Sequence, residues 1–201
     1  GSCIHGIGHG ITSYHKSQEL KASLLDCDKL TNGQNFCYDG VFMEFVRSAE
    51  QSFYQKEQPF YPCDSLEQKY GQKYSLSCGR NQPTVMISRL GLAFQDAAKL
   101  CGANTLGGQF KSACFDALGF MLASTQDVGK IISGCKSIQN TSFSGLCFKS
   151  AAGELIFQDA PGWPEKSTQV CDAAPLSYRT LCHENRKKLM QEYGRQAFDL
   201  L

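Results

Sequence analysis

Three of the chain's four histidines fall within eleven residues, in the run Cys3-Ile-His5-Gly-Ile-Gly-His9-Gly-Ile-Thr-Ser-Tyr14-His15. On a helix His5 and His9 stand at i and i+4 and share one face. Two imidazoles so placed can chelate one divalent metal, and imidazole nitrogen suits zinc, copper or iron. A metal centre needs further donors, and Asp39 and Glu44 are the candidates: His5/His9/Asp39 or His5/His9/Glu44 with one open position would make a catalytic site. No glutamate lies between the histidines, so the zinc-protease pattern is not met. Metal-free chemistry has a version too, with His9 as general base, Asp39 orienting it, and Ser13 or Tyr14 nearby. The plainest alternative is structural: a polar first-turn residue at His5 and a buried, hydrogen-bonded His9. Gly6, Gly8 and Gly10 each weaken a helix by about 1 kcal/mol relative to alanine. Either a neighbouring helix packs against them or a ligand approaches the backbone there.

The elements that must position these residues are marked out by eleven cysteines in two interleaved series. One runs Cys27, Cys63, Cys101, Cys135, Cys171; the other runs Cys3, Cys37, Cys78, Cys114, Cys147, Cys182. Each advances by 33 to 41 residues, a helical-hairpin repeat period. Five short-range pairs follow: 27–37, 63–78, 101–114, 135–147 and 171–182. Cys3 is left over, as half of a staple begun upstream, a free thiol, a further soft ligand or an intermolecular bridge. No Cys-x2-Cys or Cys-x4-Cys pair occurs, and 9 to 14 intervening residues suit a loop staple better than a zinc knuckle. This cysteine usage points to an oxidising compartment, so a secreted or periplasmic protein is expected.

The copies align on the second cysteine of each pair. Cys37-Tyr-Asp-Gly-Val-Phe-Met-Glu-Phe-Val, Cys114-Phe-Asp-Ala-Leu-Gly-Phe-Met-Leu-Ala and Cys147-Phe-Lys-Ser-Ala-Ala-Gly-Glu-Leu-Ile share an outline with the segment at Cys3. Their apolar residues recur at three- and four-residue steps, which predicts an amphipathic helix starting at or just before the cysteine. Small residues three positions on (Gly6, Gly40, Ala117, Ser150) would admit a neighbouring helix. The first cysteine of each pair is expected to end another helix, as in Leu20–Leu30, Gly91–Leu100 and Val128–Ser133. Pro83 is expected to delay one helix to Thr84, and Asp159-Ala-Pro-Gly-Trp-Pro to form an irregular connection. A charged last helix from His183 to about Phe198 would cap the array. In this register Asp39 is the counterpart of His5 and Asp116, and Glu44 stands one position past the counterpart of His9.

In period and helix–loop–helix layout the chain resembles the tetratricopeptide and Sel1-like repeat group, whose cysteine-rich secreted members also staple helical hairpins. That resemblance implies a fold type and no functional residue. The expected fold is all-α, a right-handed solenoid of about five hairpins forming a single repeat domain over 1–201. Gly1-Ser2 reads as a leftover of recombinant expression, and the chain as a fragment of a longer secreted protein.

A net charge of +1 with dispersed Lys and Arg gives no footprint for nucleic acid. No apolar run approaches a membrane span. There is no phosphate-cradling glycine loop, dinucleotide fingerprint or haem-attachment motif. Asn140-Thr-Ser is a glycosylation sequon in form. The aromatics of Phe53–Pro62 flank a two-proline loop, which serves either as a contact surface or as a packed connection. Two functions fit. One is a binding module presenting a concave face to a protein, peptide or glycan, with a His-based metal site in its N-terminal copy. The other is a metal-dependent enzyme built on His5 and His9.

Overall fold

The structure is a computed structural model and describes residues 2–15 and 19–193. The regular elements among them are all helical: α1 (Ser2–His15), α2 (Leu20–Cys27), α3 (Gln34–Ser48), α4 (Cys63–Tyr70), α5 (Ser75–Thr84), α6 (Phe94–Ala103), α7 (Gly108–Ala123), α8 (Val128–Lys136), α9 (Thr141–Phe157), α10 (Trp163–Asp172) and α11 (Leu176–Glu192). None is long and apolar enough to cross a membrane. The chain divides into two compact units, residues 1–93 with 100–114, and 94–99 with 115–201.

All five expected disulfides are present, with Cα–Cα separations of 5.5–5.8 Å. All ten of these cysteines are buried, so the staples belong to the core, while Cys3 is free and exposed. In the first unit α1 packs along α3, and α3 against α5. Leu24, Val41, Phe42, Phe45 and Met86 fill the interior there. In the second unit α9 packs against α8, α10 and α11 around Phe148, Leu155, Ile156 and Val170. Phe115 and Phe143 stack there at 4.3 Å.

Beside the first staple a carboxylate ties three elements together. Asp28 accepts hydrogen bonds from Tyr38 (2.6 Å) and Tyr74 (3.0 Å), and Lys73 approaches to 2.6 Å. Burial raises the Asp28 pKa, but these donors outweigh it and hold the carboxyl below its usual range. Burial and the Asp28 charge push both tyrosines well up.

Several helix boundaries differ from expectation. The second helix of each hairpin begins three to six residues before its cysteine. The first helices ending near Cys27, Cys101, Cys135 and Cys171 run as anticipated, with α2 stopping at Cys27 and α6 starting only at Phe94. Cys63 does not end its helix but begins it, because Pro59 and Pro62 cannot continue a helix and Pro62 stands at the N-cap. Pro83 does not delay a helix to Thr84 either. It lies in the last turn of α5, and a π-helical turn, Val85–Arg89, follows directly. The wider turn, with Leu90 N–H bonding Val85 O, absorbs the disturbed ladder. The Phe53–Pro62 aromatics act as a packed connection: Tyr54 is buried, Phe53 meets Phe45, and Phe60 meets Phe110. The last helix starts earlier than expected, at Leu176, and its anticipated end at Phe198 lies outside the described residues.

Candidate functional site

Helix α1 can approach α3 as closely as it does because of two glycines. A Cβ at Gly8 would strike the Cys37 carbonyl oxygen, and one at Gly40 would strike the His5 carbonyl oxygen. This contact recurs in the second unit, where Gly119 meets the Cys147 carbonyl, and Gly8 and Gly119 hold the same place in their copies, five residues past the cysteine. Gly40 therefore packs as expected. Gly6, also expected at a helix contact, faces open space, as does Gly10.

Next to the Gly8/Gly40 contact, side chains from the two helices meet: His9 directly follows Gly8, and Glu44 stands one turn past Gly40. His9 Nδ1 lies 2.9 Å from Glu44 Oε2, and His9 Nε2 lies 3.1 Å from His5 Nε2. Arg47 Nη2 closes on Glu44 Oε2 at 3.1 Å from the outer side. Glu44 is buried, at 8% side-chain exposure, whereas the His9 side chain is 28% exposed. An ionised carboxylate only accepts hydrogen bonds, so His9 carries its proton on Nδ1 and offers the Nε2 lone pair. His5 Nε2–H then donates to it. A buried anion thus fixes the tautomer of one histidine, and that histidine orients the next.

Of the four residues singled out from the sequence, the structure brings together His5, His9 and Glu44. Asp39 goes elsewhere, to Arg80 Nη1 of α5 at 2.7 Å. Its neighbour Gly40 takes the face toward α1, and successive helical residues point about 100° apart, which turns Asp39 toward α5. Its second oxygen, Oδ1, is buried without a hydrogen-bond partner among the described residues. Tyr14, offered as a reactive neighbour, is exposed and in ring contact with His15. The two remaining histidines pair with carboxylates elsewhere: His15 with Asp26 at 2.6 Å and Glu19 at 3.8 Å, and His183 with Asp172 at 3.0 Å. No group of three or more His, Cys, Asp or Glu side chains forms a ready metal cage among the described residues.

A residue not singled out from the sequence is Glu154. It is the counterpart of Glu44, seven residues past its cysteine, and it too is buried. The residue of α7 that corresponds to His9 is Phe120, so no imidazole is supplied. Gln158 Nε2 donates to Glu154 Oε1 at 2.6 Å. Burial pushes the carboxyl up from 4.5 to about 7, against the hydrogen bond from Gln158, which lowers it. Above pH 4.5 the unfolded chain ionises at this residue while the folded chain stays protonated until about pH 7. Its contribution is therefore intact below pH 4.5 and lost as pH rises to 7, by about 2 to 3 kcal/mol. Glu154→Gln should accordingly match the wild type in urea denaturation at pH 4.5 and exceed it by most of that amount at pH 8. A difference independent of pH would show that the carboxyl ionises normally.

No family model, curated protein or solved structure matches this chain.

Proposed function

We propose that the chain is a binding module of an oxidising, extracytoplasmic compartment, secreted or periplasmic, and that its point of ligand contact is the imidazole pair of the N-terminal copy. Five buried staples support the compartment. Successive second helices pack side by side within each unit, α1 with α3, α3 with α5 and α9 with α11, as a solenoid of hairpins would require. The observation that carries the site is the linked set His5–His9–Glu44 on a half-exposed face. The aligned copies place Met43 and Phe120 where this one has His9. A buried carboxylate spent on holding a partly exposed imidazole adds little to a helix interface that glycine packing already secures. Gly6 and Gly10, beside the histidines, have room for a methyl group that would strengthen the helix, and leave the backbone open instead. The same convergence favours, as a second reading, a metal-dependent enzyme acting at this pair.

The test asks whether the set serves the fold. His5→Ala removes the outer imidazole, and His9→Met with Glu44→Leu replaces both partners of the buried pair with apolar groups. Exchanging both partners avoids leaving an orphaned charge, so a site kept for function should be lost at no cost or with a gain in Tm. A fall of more than about 4 °C in both variants, which corresponds to 1–2 kcal/mol in a chain of this size, would make the set a structural clamp and end the proposal.

A further inference from the structure

Resting on that reading of the site, we infer that its ligand is a borderline divalent transition-metal ion, zinc or copper(II), bound by His5 Nε2 and His9 Nε2, with Glu44 as the outer partner that orients His9. The two nitrogens are 3.1 Å apart. Metal–imidazole bonds of 2.0–2.1 Å reaching both of them would enclose roughly 100°. That angle lies between the values for square-planar and tetrahedral coordination, the geometries of copper(II) and zinc. The ion would replace the hydrogen bond that now joins the two nitrogens. When the ion enters, His5 gives up its Nε2 proton and carries one on Nδ1 instead, so that Nε2 offers its lone pair.

Glu44 does for His9 what carboxylates do for metal-bound histidines generally. It accepts the Nδ1 proton, fixes the lone pair on Nε2 and raises its basicity. Arg47 braces the carboxylate as well, with Nη2 reaching both of its oxygens. Asp39, held by Arg80, is not a ligand, and Glu44 faces His9 Nδ1, away from the metal-binding nitrogen. The protein therefore supplies two donors and leaves the other coordination positions to water or to a group on another molecule. The open backbone at Gly6 and Gly10 leaves space for such a co-ligand. Cys3 is exposed on the same helix and is the competing soft donor.

The test uses tag-free protein titrated with Zn(II) and, separately, Cu(II), followed by calorimetry and, for copper, by electron paramagnetic resonance. The wild type should take up one ion, with hyperfine structure from two imidazole nitrogens. Cys3→Ser should bind as the wild type does. His5→Ala and His9→Ala should each lose the ion, while His15→Ala/His183→Ala should keep it. Glu44→Gln should bind roughly tenfold to a hundredfold more weakly. Failure of the folded wild type to bind either ion would overturn the assignment, as would uptake unchanged by loss of His5 and His9, or binding abolished by Cys3→Ser. These failures are separable from failure of the wider reading, which shows as unfolding in the stability variants without any metal present.

Discussion

Reduction of all five disulfides is expected to abolish the fold. The closed loops span 10 to 15 residues. At that length each cross-link removes about 3 kcal/mol of freedom from the unfolded chain, if entropy dominates. Five such links amount to roughly 15 kcal/mol, as large as the whole net stability of an ordinary domain. The helices themselves offer little reserve. α2 and α4 are eight residues long and α8 is nine, well short of what persists alone in water. Protein treated with reductant and alkylated should lose most of its far-ultraviolet helical signal. Removing one staple by Cys27→Ala with Cys37→Ala should cost about 3 kcal/mol in urea denaturation. Retention of helicity with all eleven thiols alkylated would show that packing alone suffices.

The pairing was legible because each staple is local, and a local partner can be read from spacing alone. Part of the site was legible for a related reason. Aligning copies on the cysteines put Glu44 one residue past the counterpart of His9, and α1 and α3 do lie side by side, so that offset becomes a hydrogen bond of 2.9 Å. The same register misplaced Asp39, because a column of equivalent positions does not say which flank of a helix each side chain takes. Gly40 settles that by occupying the flank toward α1, leaving Asp39 to Arg80. Cys63 and Pro83 escaped the pattern through backbone effects: prolines before one helix and a π-helical turn after another reset the boundaries the cysteines suggest. Glu154 is visible in the sequence as a glutamate in an apolar run. Its raised pKa depends on burial, and it takes three dimensions to see that.

Gly40→Ala should damage fold and site together, and the comparison with Gly6→Ala makes the cause readable. Both substitutions add one methyl group to a helical glycine, so both gain about 1 kcal/mol of helix propensity. At Gly6 nothing lies within 4 Å of the added carbon, and the gain should appear in full. At Gly40 the methyl group meets the His5 carbonyl oxygen and the Gly8 backbone. Backbone cannot swing aside as a side chain can, so α1 must move away from α3. Overpacking of this kind costs about 1–3 kcal/mol, and contact with unyielding backbone puts it at the upper end, leaving a net loss of up to about 2 kcal/mol after the propensity gain. Gly119→Ala should lose a similar amount in the second unit, where the obstacle is the Cys147 carbonyl. The two losses differ in what else they disturb. His9 directly follows Gly8 and Glu44 stands one turn past Gly40, so separating α1 from α3 breaks the bond that orients His9, while Gly119→Ala leaves it intact. Zinc or copper uptake should therefore weaken in Gly40→Ala and not in Gly119→Ala, at matched stability. Equal stability of Gly40→Ala and Gly6→Ala would mean that the glycine contact does not set the spacing of the two helices.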